Sequence, residues 1–239
     1  MNFKTIIAIY KKELKSYFYS ATAYVVNVLF LLIIGWFFTA TLFINGGEAT
    51  MRPVYSYVPL LFLFFIPAIT MKTIAEEKKS NTFELLVTMP INDIEIILGK
   101  FFAALTLVLI SVLLTFIYVI TLSMFGDVDT GEIIGGYLGL IFMASAYISL
   151  GIFASSLTDN QIVAFIIAFI FAFFFFIINK ITLFLPVGLS RFFEYISIDY
   201  HFSNISKGII DSRDIIYYLS ITVLGLYFAN FVLESRKND

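Results

Sequence analysis

The sequence predicts an all-α, polytopic membrane protein with six transmembrane helices, and three observations carry that prediction. First, 60% of the 239 residues are hydrophobic and only 13% are charged. Soluble domains carry roughly 25% charge, so this chain has too little to cover a water-exposed surface of its size. Second, the charged residues leave six gaps, at residues 16–47, 53–71, 101–126, 133–158, 160–179 and 215–233. Each is close to or above the ~20 residues that a helix needs to cross ~30 Å of hydrocarbon, a depth from which ionised side chains are usually excluded. Third, runs such as the four phenylalanines at 173–176 are apolar on both faces, whereas the strands of a transmembrane barrel alternate apolar and polar residues.

Residues 1–20 come before the first span. Phe3, Ile7, Tyr10, Leu14 and Tyr17 recur at helical spacing, with Lys4, Lys11, Lys12 and Lys15 falling largely away from them. This predicts a basic amphipathic helix lying on the membrane surface; a polar lead-in to the first span is the alternative. The apolar run that follows is too long for a cleaved signal peptide and lacks a small-residue cleavage pattern.

The six spans fall at about residues 21–44, 55–74, 101–124, 134–156, 161–183 and 215–233. Asn179, Lys180 and the Leu185-Pro186 step blur the end of the fifth. An even number of spans puts both termini on one side. That side carries ten Lys and Arg residues against five on the other, which predicts cytoplasmic termini in the cytoplasmic (inner) membrane. Polar residues within the spans, such as Asn27, Thr70, Ser145, Ser149, Ser155 and Ser156, suit helix–helix packing or a path. The phenylalanines of the fifth span suit either a dimer face or lipid.

Seventeen of the 32 charges lie in two segments, 72–100 and 180–214. The first is cytoplasmic by the orientation above, and residues 72–79 continue the second span as a charged helix. Asn81 three residues before Glu84, and Asn92 three before Glu95, fit N-caps with capping-box partners. Met89-Pro90 breaks the helix between them. The expected product is a short helix at 82–88 displaying Phe83, Leu85, Leu86 and Val87, covered either by a partner or by the chain's own interfacial helix. The second segment is external, and its Phe192, Phe193, Tyr195, Tyr200 and Phe202 suit the outer interface.

Several chemistries are excluded. A net charge of −2 with no clustered basic face gives no nucleic-acid footprint. There is no cysteine for a thiolate or disulfide. The only Gly-Lys pair, Gly99-Lys100, lacks the earlier Gly and the following hydroxyl of a P-loop, so this chain is not expected to be an enzyme or to hold a cofactor. Ser190 and His201 form the one Ser/His pairing, in a loop rather than a span; His201 reads instead as an interfacial aromatic with a polar tip. The spans hold no Asp, Glu, Lys or Arg apart from Lys72 at the margin of the second and Lys180 in the blurred end of the fifth, which weighs against an ion-coupled carrier.

The run EEKKSNTFELLVTMPINDIEIILGKF resembles the cytoplasmic loop of ABC-2 type transporter permeases, most closely the gliding-motility-associated subgroup. Ile66-Pro67-Ala68-Ile69-Thr70-Met71, the stretch from Thr158-Asp159-Asn160-Gln161 to Phe165, Asp199-Tyr200-His201-Phe202, Gly208 and Asp211-Ser212-Arg213-Asp214 extend the resemblance over the whole chain. Asn81 stands where the family usually has Gly, and Asn also tolerates left-handed backbone.

The resemblance implies a single ABC-2 transmembrane domain over 1–239, with an interfacial helix at 1–20, a coupling segment at 72–100 and an external segment at 180–214. Glu76, Glu77, Thr82, Phe83, Glu84, Leu85, Leu86 and Pro90 would couple to an ABC ATP-binding subunit that holds the ATP. Short external re-entrant helices would lie between spans 5 and 6, with Pro186, His201, Phe202, Gly208 and Asp211 at an external gate. The implied function is that of an export permease working with a second permease subunit. A non-transporting membrane scaffold or assembly factor is the alternative, and an ion-coupled secondary carrier the third choice.

Overall fold

A computed structural model describes residues 2–44, 50–80, 82, 91–182 and 186–235, and every regular element among them is helical. α1 (Phe3–Tyr19) is followed by α2 (Ala21–Thr39), which runs on as a π-helical stretch at Ala40–Ile44. α3 (Arg52–Thr70) and the one-turn α4 (Ala75–Lys79) are separated by a turn at 71–74. α5 (Asp93–Leu114) and α6 (Phe116–Ser123) form one span interrupted at Thr115. α7 (Thr130–Leu157) and α8 (Gln161–Ile181) form a tight hairpin, the short α9 (Val187–Ile196) and α10 (Ile198–Ile205) follow, and α11 (Ser212–Ser235) is last. Among the described residues six helices are long and apolar enough to cross a membrane, in agreement with the six charge-free gaps.

α7 is the axis of the bundle. It packs on α3, α5, α8, α10 and α11, and 67% of its most apolar 18 residues are buried against 17% for the first span. Small residues along it, Gly136, Gly139, Ala146 and Ala154 among them, permit these close approaches. Asp129 caps it, its Oδ1 accepting the N–H groups of Gly131 and Glu132 at 2.8 and 3.3 Å. The outer helices α2 and α8 leave Val25, Leu32, Trp36, Ile162, Ile166 and Ile170 exposed, as lipid-facing helices do.

Two spans are interrupted among the described residues. Thr115, where the span is interrupted, donates its hydroxyl hydrogen back to the Val112 carbonyl at 2.6 Å, a bond that competes with the helical ladder. At 71–74 the second span does not continue as one charged helix through 79, contrary to expectation. The break is held by bonds from α7, described below.

α1 is helical as expected, but its buried residues are Ile6 and Ile9, while Phe3 and Ile7 of the expected apolar stripe are exposed; it lies along α5 rather than apart from the bundle.

Candidate functional site

At one end of the bundle, three segments distant in sequence meet at one cation. Lys100, on α5, is 1% exposed, with Nζ 3.1 Å from Glu13 Oε1 of α1 and 2.9 Å from Glu77 Oε2 of α4. Lys12 stands 3.4 Å from the other Glu77 oxygen. A buried ammonium costs several kcal/mol unless paired, and here two carboxylates flank it.

Gly99 makes this meeting possible. A Cβ there would fall 2.6 Å from the Ile9 side chain and 3.2 Å from the Ile6 carbonyl, so only glycine lets α1 lie so close to α5. Tyr10 and Thr106 hydroxyls meet at 3.2 Å along the same contact. Tyr17 donates to the Ile69 carbonyl of α3 at 3.3 Å. Burial, aided by the nearby Glu13 and Glu76, pushes its phenol up, so it stays a neutral donor.

α4 is fixed from the other side by the end of α7. The Ile74 and Ala75 N–H groups donate to Ser155 Oγ at 3.1 and 3.0 Å, and Ser155 donates to the Met71 carbonyl at 3.2 Å. Lys78 donates to the Ser156 carbonyl. Ser155 thus replaces the intrahelical partners that the break removes.

Of the eight expected coupling residues, the structure brings Glu77 into the Lys100 cluster. It leaves Glu76 exposed beside a small pocket of about 150 Å³ that Glu13, Tyr17 and Lys72 also line. Thr82 donates to the Glu77 carbonyl at 3.3 Å. Phe83, Glu84, Leu85, Leu86 and Pro90 lie outside the described residues, as does Asn81. Asn92 is at the N-cap of α5, but its own side chain makes no cap bond; its amide reaches Glu95 at 3.4 Å, and Glu95 also accepts the Asn2 N–H at 2.5 Å.

Sequence reasoning missed Glu13, Lys100, Ser155 and Ser156 as members of this site. Two signals were available: Glu13 is the only acid among four lysines in residues 1–20, and Lys100 sits at the very edge of a charge-free gap.

At the opposite end, α10 is held against α7, α8 and α11. His201 is a correction: read as an interfacial aromatic with a polar tip, it is 2% exposed, with that tip bonded inside the protein. Its Nδ1 is 2.5 Å from Asp214 Oδ1, its Nε2 is 3.1 Å from the Tyr195 carbonyl, and its ring stacks on Tyr217 at 3.9 Å. Both nitrogens face oxygens of the protein. Neither nitrogen is left to act as a base toward Ser190.

Phe202 is buried with its ring edge-on to Tyr55. Gly208, at φ +81°, turns the chain after α10 where its Cα would lie 3.0 Å from a Cβ on Gly135. Asp211 caps α11, accepting the Arg213 N–H at 2.9 Å. Pro186 opens α9, its carbonyl accepting from Leu189 and Ser190 at 3.0 Å each. Four of the five expected gate residues therefore lie in or beside the α10–α11 corner, while Pro186 stands at the start of the preceding helix. Tyr217 and Tyr218 donate to the Ile196 and Ile198 carbonyls, and Ser197 to the Phe175 carbonyl at 3.2 Å, so the α9–α10 turn is joined to both α8 and α11.

Among the described residues no group of three His, Asp or Glu side chains could hold a metal ion. Neither end offers a nucleophile with its base; what the arrangement offers is mechanical connection at one end and a polar recess at the other.

The family model for ABC-2 family transporter proteins matches residues 4–233, from α1 to the last turns of α11. The chain belongs to the ABC-2 transporter family. No curated protein matches it significantly. As an ABC-2 family member it is a permease-type, multi-pass membrane component rather than a catalytic subunit, and permeases of this family generally work with an ABC ATP-binding subunit.

Proposed function

We propose that this ABC-2 protein is the transmembrane subunit of an ATP-driven exporter, and that motion of a separate ATP-binding subunit enters through residues 76–90. The single observation that carries this reading is the Lys100 cluster. It joins α4, at the root of that segment, to α1 and α5 by buried ion pairs, and Ser155 and Ser156 join α4 to the central helix α7. A displacement of the segment is thereby shared among the helices packed on it.

The side bearing α1 and α4 is cytoplasmic, in keeping with ten of the 15 Lys and Arg residues. His201, Phe202, Gly208 and Asp211 then belong to an outer gate, with α9 and α10 as its re-entrant helices. The exposed apolar faces of α2 and α8 suit a second permease, identical or different, as well as lipid. The motif order through 76–101 supports a place beside the gliding-motility-associated permeases.

Co-purification tests the reading. Glu84→Ala and Phe83→Asp chains are expected to lose their ATPase partner or its stimulated hydrolysis. Retention of both at the wild-type level overturns the coupling assignment and favours a scaffold. Transport driven by an ion gradient without ATP would favour a carrier.

A further inference from the structure

A polar recess of about 470 Å³ opens at the end of the bundle opposite the Lys100 cluster, between the start of α3, the end of α8 and α10. Its lining brings together three cations, Arg52, Lys180 and Lys207, with one carboxylate, Asp199. The bilayer-embedded parts of the chain carry almost no charge, so three cations around one cavity are a concentration rather than a background.

The cations are only partly neutralised. Lys180 Nζ is 2.9 Å from Asp199 Oδ2, which also accepts from the Asn179 amide at 3.0 Å. Arg52 reaches Glu132 through Nε alone at 3.3 Å, which leaves its two terminal nitrogens without a protein acceptor among the described residues. Lys207 makes no ion pair among the described residues and is exposed. Even counting Glu132, the site keeps an excess of positive charge. Tyr55 and Phe202 supply an apolar wall.

We infer that this recess binds the net-anionic, terminal phosphate headgroup of a membrane amphiphile, in preference to a zwitterionic one. A guanidinium fork beside lysine point charges suits the several oxygens of a phosphate, and the volume falls within the range of small-ligand sites. The apolar wall and the position at the ends of two spanning helices suit a headgroup whose chains remain in the bilayer. That the leaflet is the outer one rests on the orientation proposed above; the binding itself does not.

The test uses the full chain in phosphatidylcholine nanodiscs, titrated with dihexanoyl phosphatidic acid, dihexanoyl phosphatidylcholine and inorganic phosphate. Phosphatidic acid is expected to bind more tightly than either of the others, and more weakly as salt rises. Lys207→Glu is expected to weaken it about tenfold, the loss of roughly one charge-assisted contact. Asp199→Asn is expected to tighten it, a direction that general damage to the fold would not produce. Equal binding of the two lipids, or wild-type affinity in Lys207→Glu, overturns the inference. Inorganic phosphate binding as tightly as phosphatidic acid overturns the amphiphile in favour of a free phosphate. No ATPase partner takes part, so stimulated ATP hydrolysis reports separately on the export reading.

Discussion

His201 Nδ1 and Asp214 Oδ1 are 2.5 Å apart in a corner where both side chains are almost wholly buried, at 3% and 5% exposure. The pair fastens α10 to the first turn of α11, and the Tyr217 ring covers it. His201→Ala should therefore strand a buried carboxylate and lower stability by about 3 kcal/mol. Asp214→Asn keeps the shape and one polar contact and should cost less. Thermal unfolding of the two variants in one detergent at one scan rate would check the order; equal loss would mean that the pair contributes little beyond packing.

Lys100→Met should leave Glu13 and Glu77 with only the exposed Lys12 near both, at 3.8 and 3.4 Å, at a cost of about 3 kcal/mol. Adding Glu13→Gln and Glu77→Gln to the same chain should restore most of that stability, because the stranded charges are gone. Denaturant titration of the single and triple variants measures the recovery. Failure of the triple variant to recover would show that Lys100 acts through its packing rather than its charge.

Gly99→Ala places a methyl group against Ile9 and should push α1 from α5, costing about 1 to 3 kcal/mol. Ile9→Ala in the same chain should relieve part of the clash. Disulfide trapping between cysteines introduced on α1 and α5 reads the separation directly, and unchanged trapping in Gly99→Ala would contradict the contact.

Ser155→Ala removes the acceptor of two buried amides and should destabilise α4 by about 1 to 3 kcal/mol. Hydrogen exchange at Ile74 and Ala75 should speed up while the middle of α7 stays protected. Unchanged exchange at those two amides would mean that other groups hold the turn.

The spans were legible because charge exclusion from hydrocarbon is a one-dimensional signal: each gap in the charges became a helix. α1 was legible as a helix for a similar reason, since its periodicity is local. The break at 71–74 was not, because the bonds that hold it open come from a serine on α7 some 80 residues later. Lys100 looked like the polar end of a span, as Lys residues commonly are, and only the fold shows that it is buried between two carboxylates. His201 gave the opposite lesson. An aromatic with a polar tip in an external segment suits an interface on composition alone, and Asp214, thirteen positions on, draws it inside.

The Lys100–Glu13 contact joins residues 87 positions apart, and that separation has a consequence during synthesis. α1 leaves the ribosome first, yet its buried face has no seat until α5 has been made. At about 5 to 20 residues per second, α1 waits on the order of 4 to 17 s at the membrane surface, with the intervening spans entering the bilayer meanwhile. Its lysines and aromatic residues suit that interval, since they let the helix rest among lipid headgroups until its docking partner arrives.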